Sequence, residues 1–174
     1  MTTCVFGGVP DNWVKGHDVF SDVLARLTAR GVKVRELVLA APGQTREAVA
    51  PKFAAADLLL FTSRKGYEGS PTVVKEATVI GLPVVTTDVG DVADVLDGVT
   101  PSAVVEFPEP WGTPEAREQL VEGLAQRSFE VLADGRRSNG REVNAWLDWT
   151  AIAGQVIAHY RRVLAEAPKP RART

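Results

Sequence analysis

The run LLLFTSRKGYEGSPTVVKEATVIGLPVVTTDVG at residues 58–90 decides the fold, because it reads in one pass as strand, loop, helix, stop and strand. Residues 58–61 form a short, unbroken apolar run, as a strand covered on both faces requires. Ser70 followed by Pro71 predicts a helix N-cap and first helical residue, since proline has a preset φ and lacks only a donor that the first turn does not use. The helix predicted over residues 71–80 stops at Gly81, and Leu82-Pro83 leads into a second apolar run at 84–86. Two strands joined through a helix predict a parallel pair.

The same alternation continues in both directions, with strands predicted near 3–7, 32–40, 58–61, 84–86 and 103–107. The helix predicted over 16–30 sets Val19, Phe20, Val23, Leu24 and Leu27 on one face and ends at Gly31. A short helix is predicted over 46–56 with Thr45 as its cap, and one or two turns over 91–96. Pro108, Pro110, Trp111, Gly112 and Pro114 form a turn-rich entry to a helix over 115–133. Helical spacing returns over 144–166 at Ile152, Val156, Ile157, Tyr160, Val163 and Leu164. The expected fold class is α/β, a Rossmann-like doubly wound parallel sheet with helices on both faces. One domain spans 1–166, closed by its C-terminal helix, and a flexible tail covers 167–174.

Composition narrows the function. With 174 residues, 45% hydrophobic and 24% charged, the chain is an ordinary globular domain with enough length for a core. A formal charge of −2 supplies no global field for nucleic acid, so phosphate binding has to come from a local site. The lone Cys4 sits in an apolar run and reads as a buried strand residue, in keeping with a cytoplasmic location. No run is long enough to form a transmembrane segment. His17 and His159 lie far apart and predict no metal site.

The unusual residues fall in the strand-to-helix loops, at the carboxyl ends of the predicted strands, where open α/β sheets bind ligands. Asp11, Asn12, Trp13 and Lys15 follow the first strand, 41–44 the second, 63–69 the third and 88–90 the fourth. Within the third loop and its helix, Glu68 and Glu76 flank a helix start at which Gly69 permits close backbone approach. Such an end attracts anions, whereas the two carboxylates are suited to accept hydrogen bonds from hydroxyls beside the anion. A phosphate flanked by hydroxyls describes a nucleotide sugar. Lys15-Gly16, at the start of the first helix, supplies a cation that could meet a diphosphate from the other side. Trp13 suits either a cover over this site or a packing role.

The spaced glutamates at 68 and 76, together with Lys15-Gly16-His17-Asp18 and the segment 81–90, resemble the C-terminal, donor-binding half of GT-B glycosyltransferases of the group 1 family. The resemblance extends over 5–164, with 149–164 similar to that family's closing helix. It implies a retaining glycosyltransferase that uses a nucleotide-sugar donor as substrate and needs no separate cofactor. In that reading Glu68 is the catalytic candidate facing the donor sugar, and Glu76 accepts from the ribose hydroxyls. Lys15, Gly69, Ser70 and Thr72 bind the phosphate or sugar oxygens, and the base lies toward 41–44. An N-terminal Rossmann-like acceptor domain or chain is the implied partner, without which the chain is expected to be inactive in transfer. Many family members carry an arginine shortly before the lysine, where this chain has Val9 and Pro10; Arg64 and Lys65 are the nearby cations that could substitute, with an exposed, unpaired pair as the expected outcome. A non-catalytic nucleotide-sugar-binding or scaffold protein, and half of a sugar-nucleotide epimerase, are the alternative readings.

Overall fold

The computed structural model describes residues 1–39 and 45–166. The base-binding loop expected at 41–44 and the tail at 167–174 lie outside the described residues. Five strands form one parallel sheet in the order β2-β1-β3-β4-β5. They are β1 (Thr2–Phe6), β2 (Val34–Val38), β3 (Leu58–Phe61), β4 (Val84–Thr87) and β5 (Ala103–Val105). The register sets Val5 beside Leu37 on one side and Leu59 on the other, and Phe61 beside Thr86.

Every residue of β3 and β4 is buried, which requires cover on both faces of the sheet. That cover comes from two helical groups. Helix α1 (His17–Ala29) packs on α5 (Pro114–Asp134), which also lies against β3, β4 and β5. Helix α3 (Thr72–Ile80) packs on β3 and β4 and meets α2 (Arg46–Ala54), α4 (Val92–Leu96) and α6 (Gly140–Val143). Val19, Phe20, Val23 and Leu27 of α1 are buried as their spacing predicts, and Leu24 is partly buried against the same core. Strand β2 at the sheet edge is only partly covered, and it carries Arg35 and Glu36 exposed at its centre where β3 is apolar throughout.

Helix ends follow their residue chemistry. Thr45 and Thr113 cap α2 and α5, each accepting a backbone N–H three residues on. Gly81 ends α3 with φ 76°, its N–H donating to the Thr78 carbonyl at 2.9 Å while Leu82 donates to that of Ala77 at 2.9 Å. Cys4 is fully buried in β1, and burial pushes its thiol up to about 12. The short helix α6 had no signal in hydrophobic spacing. It is admitted by Gly140, where an added Cβ would fall 2.7 Å from the Thr78 carbonyl oxygen.

The chain divides into two compact units, the first covering Met1–Asn144 and the second starting at Ala145. In the second, a 3-10 turn at Ala145–Leu147 precedes α7 (Trp149–Glu166), so the helical pattern over 144–166 is broken rather than continuous. Asp148 makes the break: its Oδ1 accepts from the backbone N–H of Thr150 at 2.9 Å and Ala151 at 3.3 Å, capping α7. Ile152, Val156, Ile157 and Tyr160 lie on one side of α7 and are exposed. No helix among the described residues is long and apolar enough to cross a membrane.

Leu59 stands at the centre of this packing, with no exposed surface and strands on either side. Leu59→Ala is expected to cost about 2–5 kcal/mol of stability, measured by urea unfolding.

Candidate functional site

The sheet order reverses between β1 and β3, whose following connections run to opposite sides of the sheet, and the crevice outside their carboxyl ends is where such sheets take ligands. The β1 loop reaches this crevice through a 3-10 turn, Trp13–Lys15, capped by Asn12, whose Oδ1 accepts from the Val14 N–H at 3.1 Å. Gly16 closes the turn in the left-handed conformation, φ 65° and ψ 40°, and opens α1. Only glycine fits there: a Cβ would lie 2.1 Å from the Thr62 carbonyl oxygen.

The β3 loop is hydrogen-bonded across to this turn. Thr62 Oγ1 donates to the Gly16 carbonyl at 2.9 Å, the Arg64 N–H to that of Val14 at 2.8 Å, and Arg64 Nε to that of Trp13 at 2.8 Å. With the two loops fixed together, Lys15 Nζ stands 2.5 Å from Glu68 Oε1. Ser63 Oγ donates to the same oxygen at 2.8 Å. The pair is well covered, with side-chain exposures of 27% for Lys15 and 12% for Glu68.

The start of α3 forms the next wall. Gly90, in the loop after β4, is in the left-handed conformation, with space for a Cβ only 2.5 Å from the Gly69 carbonyl oxygen, so the β3 and β4 loops meet backbone to backbone. Ser70 is not the N-cap. Pro71 holds that position without a side-chain cap, and α3 starts at Thr72. The Ser70 hydroxyl is engaged elsewhere, donating to Asp91 Oδ2 at 2.8 Å and accepting from the Lys75 ammonium. Lys75 Nζ also reaches Asp91 Oδ2 at 2.7 Å. Charged partners hold a hydroxyl more strongly than a backbone amide does. Burial pushes the Asp91 carboxyl up, but hydrogen bonds from Lys75 and Ser70 and the Lys75 charge outweigh it and hold it below the usual carboxylate value.

Glu76, half-buried on α3, lines a cleft of about 210 Å³ whose other walls are Val49, Ala50 and Phe53 of α2 and Ile80. The structure therefore joins Lys15 to Glu68 and turns Glu76 toward α2, the helix that follows residues 40–44. Arg64 and Lys65 are both paired. Arg64 donates to Asp18 Oδ1 at 2.8 Å and lies over the Trp13 ring, 5.7 Å from its centroid, and Lys65 pairs with Glu109. Burial pushes the Asp18 carboxyl up, while Arg117 and Arg64 together bring it below the ordinary range. Trp13 is exposed and meets Tyr67 edge to face at 4.9 Å. The sequence reading sets Ser63 at the rim without a role and gives none to Lys75 or Asp91. Ser63 carries one available signal, a hydroxyl just beyond the end of a central strand.

A family model described as glycosyl transferases group 1 matches residues 40–126, half of the chain. No curated protein sequence matches with significance. Among solved structures, sucrose-phosphate synthase from Thermosynechococcus elongatus is similar over 95% of this chain and 46% of its own, with 20% identity and a TM-score of 0.62. AviGT4, a glycosyltransferase involved in avilamycin A biosynthesis, is similar over 95% and 52%, with 22% identity and a TM-score of 0.48. WaaG, a glycosyltransferase involved in lipopolysaccharide biosynthesis, is similar over 73% and 38%, with 25% identity and a TM-score of 0.47. The chain thus spans about half the length of these proteins or less.

The Ser70–Lys75–Asp91 group has a definite pH signature. A carboxyl held low in the folded state adds stability above its unfolded pKa and loses it as pH falls through the folded value. Lys75→Met is expected to cost about 0.2–1 kcal/mol at neutral pH. The part of the deficit due to Asp91 should disappear in acid once Asp91 is protonated in both proteins, below about pH 4 and further down than an ordinary aspartate would require, leaving only the lost contact with Ser70. Urea unfolding across that range measures it.

Proposed function

Since the chain belongs to the glycosyl transferases group 1 family, we propose that it is the donor-binding half of a retaining, nucleotide-sugar-dependent glycosyltransferase. The observation that carries this reading is the Lys15–Glu68 pair at the crevice between β1 and β3, with the N-terminal ends of α1 and α3 beside it. Helix N-terminal ends and an ammonium are the groups that hold a diphosphate. Lys15 takes its charge, while the backbone of Gly69, with Ser70 and Thr72, contacts phosphate or sugar oxygens at the start of α3. Arg64 is held by Asp18 and the Trp13 carbonyl, and the phosphates are assigned to Lys15, whose partner Glu68 turns to the sugar.

Glu68 faces the donor sugar and accepts from its hydroxyls near the anomeric carbon, where it serves as the catalytic carboxylate. Glu76, in its cleft beside α2, accepts from the ribose, and the base lies toward residues 41–44. Two reactants must be held in one geometry for transfer to be fast. The second wall, carrying the acceptor, comes from an N-terminal Rossmann-like domain or chain. Sucrose-phosphate synthase, which this chain matches over only 46% of its length, is in keeping with that division.

Calorimetric titration with nucleosides, nucleoside diphosphates and nucleotide sugars tests the assignment. Lys15→Ala is expected to weaken diphosphate binding by about 1.5–3 kcal/mol and leave nucleoside binding almost unchanged. Glu76→Ala should weaken both by about 1–3 kcal/mol, because both carry ribose. Equal losses for both ligands in Lys15→Ala would assign the lysine to the fold instead. The 174-residue chain by itself is expected to bind donor with negligible sugar transfer, and to transfer when a complementary acceptor half is added. Vigorous transfer by the purified chain would refute the two-part reading.

A further inference from the structure

The Lys15–Glu68 contact has a further consequence for ligand choice. The Lys15 stem lies on Gly8, where an added Cβ would come within 2.7 Å of Lys15 Cγ, and its ammonium stands 5.8 Å from the centre of the Phe61 ring. The cation is thereby delivered to one place. Glu68, almost fully covered, takes both Lys15 and Ser63 on Oε1; among the described residues no hydrogen bond falls on Oε2.

We infer that Glu68 sets a preference for the sugar-bearing nucleotide over the bare nucleoside diphosphate, by competing with the terminal phosphate for Lys15. The inference rests on the proposed reading of the site. A sugar-linked diphosphate carries a single charge on its outer phosphate and presents hydroxyls beyond it. As Lys15 turns to the phosphate, those hydroxyls donate to Glu68, and the covered carboxylate stays satisfied. A bare diphosphate ends instead in a phosphate of higher charge with nothing to donate. It draws Lys15 away, leaves Glu68 with Ser63 alone, and sets two like charges near each other in a partly dry crevice. A covered carboxylate stripped of its cation is strongly disfavoured, and like charges at short range add to the cost. Glu68 is thus a specificity-determining residue as well as the sugar-facing one. It loosens the hold on the spent nucleotide once the sugar has gone.

The test is titration calorimetry of the 174-residue chain with three ligand pairs: UDP and UDP-glucose, ADP and ADP-glucose, GDP and GDP-mannose. Glu68→Gln keeps an oxygen for Ser63 and for a hydroxyl while discarding the charge. For the pair that the wild type binds, it is expected to bind the diphosphate about ten-fold tighter, with donor affinity changed by less than about three-fold. Glu68→Asp, which keeps the charge, should hold the diphosphate as weakly as the wild type. Equal tightening of both ligands, or no tightening of the diphosphate, overturns the inference. If Glu68→Gln does not fold, as judged by circular dichroism, Ser63→Ala takes its place. It leaves Glu68 still poorer when Lys15 departs, so the diphosphate should weaken more than the donor, and equal weakening overturns the inference. No binding of any pair by the wild type overturns the reading of the site itself, whereas binding with an unshifted ratio overturns this inference alone.

Discussion

The crevice depends on the approach of Gly16 to the carbonyl of Thr62, close enough that any side chain on residue 16 would overlap it. That approach lets Thr62 donate to the Gly16 carbonyl and brings Arg64 within reach of the Trp13 and Val14 carbonyls. Two loops from separate strands become one surface. A lysine and a glutamate 53 residues apart in sequence are left with little choice but to meet. The geometry of the pair is therefore set by backbone, and the side chains report it rather than create it.

Much of this was legible in the chain. The buried central strands announced themselves because β3 and β4 are covered on both faces and need unbroken apolar runs. Helix α1 did so because one side faces the core, and α3 because Gly81 supplies the left-handed stop. The crevice loops could be located for the same reason, since they follow from strand order alone. Local rules failed where a distant partner intervened. Ser70 followed by Pro71 has the form of a cap, yet Asp91 and Lys75 claim the hydroxyl. Arg64 and Lys65 have the form of solvated cations until Asp18 and Glu109 are brought beside them by the fold. Helix α6 depends on a backbone contact at Gly140 that hydrophobic spacing does not encode.

Charge at the crevice is arranged in small neutral sets. Lys15 with Glu68, Lys75 with Asp91, and Arg64 with Asp18 each pair a cation with a carboxylate from a different part of the chain, in or beside the loops after β1, β3 and β4. A chain of nearly balanced formal charge in this way keeps its cations at the crevice without a basic surface, as the proposed diphosphate site requires. The arrangement also separates duties. The Lys75 and Asp91 set holds the Ser70 hydroxyl at the start of α3, apart from the Lys15–Glu68 pair.

Cys4 gives the molecule a property unrelated to sugar chemistry. Its sulfur lies in the innermost part of β1 without exposed surface, and burial holds the proton on the thiol far above neutral pH. Thiolate is the form that reacts with disulfides and alkylating reagents, so the folded protein is almost inert toward them. Reaction has to await an opening that exposes Cys4. The single thiol thus acts as a clock within the core, and its labelling rate under native conditions counts the openings that expose it, which hydrogen exchange would otherwise have to resolve amide by amide.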